Sequence, residues 1–126
     1  EIILINFFGG LNNFYKYTKS VFIGKSTIKK LKNDSGQNPL DAARFGCKIY
    51  HGPYVYNFKE IYNFLEKKNF SKNISNYLDL TAYLVKDLKM FNERNSKPSL
   101  VINKLGKKTL TNTTKELSSS LFHAIN

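Results

Sequence analysis

Apolar residues fall in short clusters whose period changes along the chain. Ile2 to Ile5 is a continuous apolar run closed by Gly9-Gly10, which reads as a buried strand. Leu11, Phe14 and Tyr15 recur at helical spacing and predict a short helix to about Thr18. Val21-Phe22-Ile23 reads as a second buried strand, stopped by Gly24. Lys25 to Gln37 is polar and reads as a loop. A helix then starts with Asn38 as N-cap, Pro39 in the first helical position and Asp41 in the third, and ends near Gly46. Cys47 to His51 is a third strand, and Gly52-Pro53 turns the chain. Asn57 with Glu60 three residues later predicts a capping box, ahead of a stripe of Phe58, Ile61 and Leu65. Lys72-Asn73-Ile74 reads as a short edge strand. Asn76 and Asp79 repeat the cap pattern before Tyr77, Leu80, Leu84, Leu88 and Phe91, a strongly amphipathic helix. Pro98 to Ala124 reads as one or two helices with a break near Gly106.

Strands and helices therefore alternate. This order predicts an α/β fold, a Rossmann-like parallel sheet with helices on both faces and right-handed crossovers. In such sheets ligands sit beyond the carboxyl ends of the strands. Three glycine-containing loops lie there: Asn6 to Gly10, Gly24 to Gln37 and Gly52 to Tyr56.

The length of 126 residues fits one domain, and 41% apolar residues suffice for a core. No apolar run approaches the ~20 residues of a membrane span. A single cysteine, Cys47, excludes an internal disulfide and a multi-cysteine zinc site. The chain opens at Glu1 and its only methionine is Met90, which reads as a fragment or a processed piece.

Charge adds a second signal. The formal net charge is +11. Six lysines lie between Glu1 and Asp34, and Arg94 with five more lysines lies between Glu93 and Glu116, with no acid in either stretch. Such a surface favours nucleic acid, anionic lipid or phosphorylated substrates. Eighteen of the twenty cations are Lys and Asn occurs fifteen times, a bias that an AT-rich genome also produces, so charge alone selects no partner.

The strand-end loops carry the candidate chemistry. Gly24-Lys25-Ser26 combines a free backbone with a hydroxyl, and also suits a plain turn. Gly36, Gln37, Asn38 and Asp41 lead into a helix whose free N–H groups favour an anion. Asp41 has the reach for ribose hydroxyls; Asn38 and Asp41 equally suit caps of their own helix. Gly52, Pro53, Tyr54 and Asn57 form the third loop, with Tyr54 and Tyr56 available for stacking or for packing over the sheet edge. His51 at its strand end suits an acid or base, and more commonly a hydrogen-bonded structural residue. No P-loop, nucleophile elbow, HExxH motif or close carboxylate pair occurs, so a metal-dependent reaction is not expected.

In order and wording these loops resemble the C-terminal half of the 3-deoxy-D-manno-octulosonic acid (Kdo) transferases. That family has a Gly-Gly-Ser stretch, then Gly-Gly-His-Asn-Pro-Leu-Glu-Pro-Ala, then Gly-Pro followed by Asn-Phe-x-Glu-Ile. The matching stretches are Gly24-Lys25-Ser26, Ser35 to Ala43, and Gly52 to Ile61. The resemblance runs collinearly from about Ile3 to Leu65.

It implies that residues 1–126 are one donor-binding domain, the C-terminal half of a GT-B glycosyltransferase, lacking the N-terminal acceptor domain. The implied donor is CMP-Kdo and the acceptor a lipid A precursor, at the anionic cytoplasmic face of the bacterial inner membrane. No cofactor or metal is implied. Asn38 and the helix start would face the donor phosphate, Asp41 the ribose, with Ser26 and Gly52-Pro53 lining the cleft and Asn57 supporting it. Catalytic residues, the general base above all, would belong to the missing half. Here Lys25 replaces a Gly, Gln37 a His and Asp41 a Glu. Rival readings are a basic nucleic-acid binding module, a GT-B enzyme using a UDP-sugar, and a non-catalytic remnant. No RRM, KH or zinc signature appears, so nucleic acid is not the expected partner.

Overall fold

The computed structural model describes Leu4 and residues 9–34, 36–90 and 97–125. The expected first strand at Ile2 to Ile5 falls outside these residues apart from Leu4, as do Ser35 and Phe91. The described elements are α1 (Leu11–Tyr15), β1 (Ser20–Ile23), a 3-10 helix (Lys29–Asp34), α2 (Leu40–Arg44), β2 (Lys48–His51) and a 3-10 turn (Tyr56–Phe58). They continue with α3 (Lys59–Lys67), β3 (Ser71–Asn73), α4 (Tyr77–Lys89) and α5 (Lys97–Ile125). The strands form one parallel sheet in the order β1-β2-β3. The chain is thus a mixed α/β, Rossmann-like fold. The supposed loop from Lys25 to Gln37 holds the 3-10 helix, which polar composition conceals.

The register sorts residues onto two sheet faces. Ser20 pairs Lys48, Phe22 pairs Tyr50, and Tyr50 pairs Lys72. Val21 pairs Ile49, Ile23 pairs His51, and His51 pairs Asn73. Paired residues in neighbouring strands share a face. Both crossovers step the same way, so right-handedness sends α2 and α3 to one face. There Ile23, Ile49, Ala42, Ala43, Tyr62 and Leu65 make the core with Ile102 of α5. Gly46 closes α2: its N–H bonds the Ala43 carbonyl, the Cys47 N–H bonds the Ala42 carbonyl, and its φ is 75°.

The opposite face carries α4, held mainly by polar contacts. Asn76 caps it as expected, accepting the Asp79 N–H at 3.0 Å. No residue of α4 is fully buried, and two members of the expected stripe stand in water: Tyr77 is 76% exposed and Leu88 79%. The half-buried positions are Asp79, Leu80, Tyr83, Leu84 and Asp87, a stripe rotated by about one residue from the apolar one. The sheet face explains the rotation. It presents Ser20, Lys48 and Tyr50, and all three donate to Asp87: Ser20 Oγ at 2.6 Å, Tyr50 OH at 2.7 Å and Lys48 Nζ at 2.8 Å. Tyr83 stacks on Tyr50 with ring centroids 5.6 Å apart, and Lys72 Nζ lies 3.9 Å from the Tyr83 ring centroid.

Helix α5 runs unbroken through Gly106 for 29 residues, about 43 Å, at 1.5 Å per residue. Its start packs on α2 through buried Pro98 and Ile102. No helix among the described residues is long and apolar enough to cross a membrane.

Candidate functional site

The loops after β1 and β2 are laced together. Ser26 is buried; its hydroxyl donates to the Ile23 carbonyl at 2.6 Å and accepts the Gly52 N–H at 2.8 Å. Its carbonyl accepts the Tyr54 N–H at 2.8 Å. The lacing leaves no room for a side chain on Gly52, whose Cβ would strike the Ser26 carbonyl and reach within 2.6 Å of Thr27 Cγ2. The Ser26 hydroxyl therefore ties two strand ends together, a correction to its expected place against a ligand.

Gly24 lies in open space. Lys25 follows with φ 65°, a left-handed backbone in the position where the resembling family has Gly. Lys25→Gly is expected to stabilise the chain by about 0.5–1 kcal/mol, less than the full left-handed penalty because glycine loosens the unfolded chain. Thermal denaturation checks this; an unchanged or lower melting temperature refutes it.

The second and third loops meet. Gly36 has φ 94°, and a Cβ there would press on Val55 Cα at 3.1 Å. The Tyr62 hydroxyl donates to the Gln37 carbonyl at 2.8 Å. Burial holds that phenol well above its usual range. Asn38 Oδ1 accepts the Leu40 N–H at 3.0 Å, so Asn38 does cap the start of α2, with Pro39 buried behind it. Asp41 sits in the first turn, half-exposed, with Arg44 Nη1 3.6 Å from its carboxylate. It faces α1: burial raises the Tyr15 phenol pKa, and the charge of Asp41 raises it further.

The expected cap at Asn57 does not form. The chain enters α3 through the 3-10 turn, the Phe58 N–H bonds the Val55 carbonyl at 3.0 Å, and Phe58 takes the cap position with no side-chain hydrogen bond. Backbone supplies what the capping box would have supplied, and Asn57 stays exposed.

Beyond the carboxyl ends of β2 and β3 opens a cleft of about 380 Å³. Pro53 and Tyr54 line it, and Gln37, Asn38 and Asp41 do not. Its floor is His51, 1% exposed, whose ring packs on Tyr62 with centroids 4.3 Å apart. His51 Nδ1 lies 2.8 Å from the Gly52 carbonyl. Nε2 lies 2.9 Å from Glu66 Oε1. Helix α3 contributes Lys59, Asn63 and Glu66, and the 3-10 helix contributes Lys32. None of these was singled out from the sequence. The signal was present: positions 59, 63 and 66 are spaced by four and three, one polar face of a helix. Among the described residues no group of three or more His, Cys, Asp or Glu is placed to hold a metal.

No protein-family description matches the chain, and no curated protein matches it either.

Proposed function

We propose that this chain is the donor-binding half of a GT-B glycosyltransferase that moves Kdo from CMP-Kdo to a lipid A precursor. One observation carries the reading. The two loops that resemble the Kdo transferases approach each other where Gly36 lies against Val55. The left-handed backbone at Lys25, where that family has Gly, is a second point of agreement.

In this reading Kdo departs from CMP with inversion at its anomeric carbon. Negative charge develops on the phosphate as the glycosidic bond breaks. Backbone N–H groups of Gly36, Gln37 and Asn38 and the Lys25 ammonium stabilise that charge where it appears. Asp41 accepts hydrogen bonds from the ribose. The acceptor site and the general base belong to an N-terminal domain, so the chain alone binds donor without turnover. Lysines around the loops draw it to the anionic cytoplasmic face of the inner membrane, each adding about 1 kcal/mol when close to the surface.

Calorimetric titration with CMP tests the reading. CMP is expected to bind in preference to UDP. Asp41→Ala is expected to weaken CMP at least tenfold while the melting temperature stays within a few degrees. Preference for UDP would move the chain to a UDP-sugar enzyme. RNA binding with steep salt dependence and no competition from CMP would make it a nucleic-acid module instead.

A further inference from the structure

Helix α4 turns its polar side inward and its apolar side outward. Its two acids, Asp79 and Asp87, are half-buried, and Asp87 is held to the sheet by Ser20, Lys48 and Tyr50. At about 100° per residue, Leu78, Ala82 and Val85 stand on the side opposite Asp87. All three are exposed, Leu78 by 63%. Exposed Tyr77 and Leu88 widen the patch on one flank, and Tyr17, 87% exposed, shares a groove with Leu88. Helix α3 gives the contrast: its exposed residues are Lys59, Glu60, Asn63 and Lys67, all polar. Scattered apolar side chains on a surface are ordinary, but a continuous row of them along one helix marks an interaction site.

Charge decides what that row meets. The exposed charged residues of α4 are Lys86 and Lys89 in its last turn, and no acid of the helix is exposed. Lys72 lies beside it, over the Tyr83 ring. In a twofold pairing, a second copy of this face would bring the same lysines and no exposed acid of α4 to answer them. An anionic bilayer answers both features, with phosphates for the lysines and acyl chains for Leu78 and Val85. The Thr81 hydroxyl on that side already donates to the Tyr77 carbonyl at 2.9 Å, so it carries no bare donor into lipid.

We infer that α4 seats the chain on an anionic membrane surface. The helix lies in the plane of the bilayer with Leu78, Val85 and Leu88 at the headgroup boundary, and Lys86 and Lys89 meet lipid phosphates. Tyr17 and Tyr77 flank the patch, a place that suits a ring with one wet end. Thirteen residues, about 20 Å, lie along such a surface and do not cross it. The seat is on the sheet face away from α2 and α3. Of the donor reading it shares the anionic membrane: the loop lysines steer the chain, and α4 makes the contact.

Vesicle flotation of the intact chain tests this. Vesicles of three parts phosphatidylcholine to one part phosphatidylglycerol should carry the chain, and pure phosphatidylcholine should bind it at least fivefold more weakly. Leu78→Gln with Val85→Gln keeps the charge and suits a helix. That double variant should melt within a few degrees of the parent yet bind anionic vesicles at least tenfold more weakly. Lys86→Gln with Lys89→Gln should lose at least fivefold. The chain has no tryptophan, so Leu88→Trp places a single reporter on the patch. Its emission should move to the blue on anionic vesicles, and brominated acyl chains should quench it. The inference falls if Leu78→Gln with Val85→Gln binds unchanged, since overall charge would then be enough. It falls if Leu88→Trp on bound chain keeps the emission of water. Loss of binding with Lys29→Gln and Lys30→Gln, and none with the α4 variants, would place the contact in the loops and overturn it. A dimer that Leu78→Gln with Val85→Gln abolishes, with no vesicle binding by the parent, would give the face to a second copy and overturn it too. CMP binding without vesicle binding would sink this inference and spare the nucleotide site of the donor reading. Vesicle binding through α4 without CMP binding would do the opposite.

Discussion

Gly52→Ala should destabilise the chain by about 3 kcal/mol, the upper end of what overpacking costs. The added methyl would collide with the Ser26 carbonyl and crowd Thr27 Cγ2 at 2.6 Å. Neither neighbour can retreat cheaply. The Ser26 carbonyl is held by the Tyr54 N–H, and the Ser26 hydroxyl by Ile23 and by Gly52 itself. Any retreat would also pull apart β1 and β2, whose ends those bonds join. Denaturant unfolding measures the loss as a fall in midpoint at constant slope. Gly24→Ala is the matched control. Nothing lies within 4 Å of a Cβ there, so it should change stability by well under about 1 kcal/mol. Equal effects at the two glycines would show that the strand ends are not laced as described.

Asp87→Ala should cost about 2–3 kcal/mol and loosen α4 from its sheet face, because three donors lose their acceptor at once. The Lys48 share is the smallest, since that ammonium is 45% exposed and solvent screens it. Acid should do reversibly what the substitution does permanently. Burial pushes the Asp87 carboxyl upward, yet the bonds from Lys48, Ser20 and Tyr50 outweigh it and hold the group below its ordinary value. A depressed folded pKa means the stabilisation is complete above the unfolded value of 3.8 and is lost as pH falls through the folded one. At the alkaline end the sign reverses. Tyr50 is pushed up to about 12, first by burial and then by the bond to Asp87, against a lowering by Lys48. Its contribution is complete below 10.0 and disappears as pH rises through 12. Stability of the parent against that of Asp87→Asn across pH 2 to pH 6 isolates the acid limb; parallel curves would refute the assignment.

The strand-and-helix order was legible because its signals are local. Val21 to Ile23 and Cys47 to His51 are apolar or nearly so and end at glycines, and Asn76 with Asp79 announces α4. What escaped depends on contacts between distant positions. The rotation of α4 follows from Ser20, Lys48 and Tyr50, which lie 67, 39 and 37 residues from Asp87. Asn57 has the right neighbours for a cap, but the Val55 carbonyl reached the chain first. Ser26 looked like a ligand hydroxyl because nothing local reveals that the Gly52 N–H, 26 residues on, would engage it. The cleft combines residues from the 3-10 helix, two strand ends and α3, an assembly visible only once the parallel register is known.

Beyond Ile102, helix α5 keeps only an open groove against the body, where Leu105, Leu110 and Thr113 lie across from Leu40, Ile61 and Phe64. Past Ile102 no described side chain on it is buried, and its far half runs through Thr111, Asn112, Thr113, Thr114 and Ser118 to Ser120, residues of modest helix propensity. Thr111, Thr114 and Ser120 even turn their hydroxyls back onto carbonyls four residues earlier. That span adds no buried side chain to the core, so it is expected to open before the β-strands do. Warming should unwind the overhang while the strands keep their amide protons.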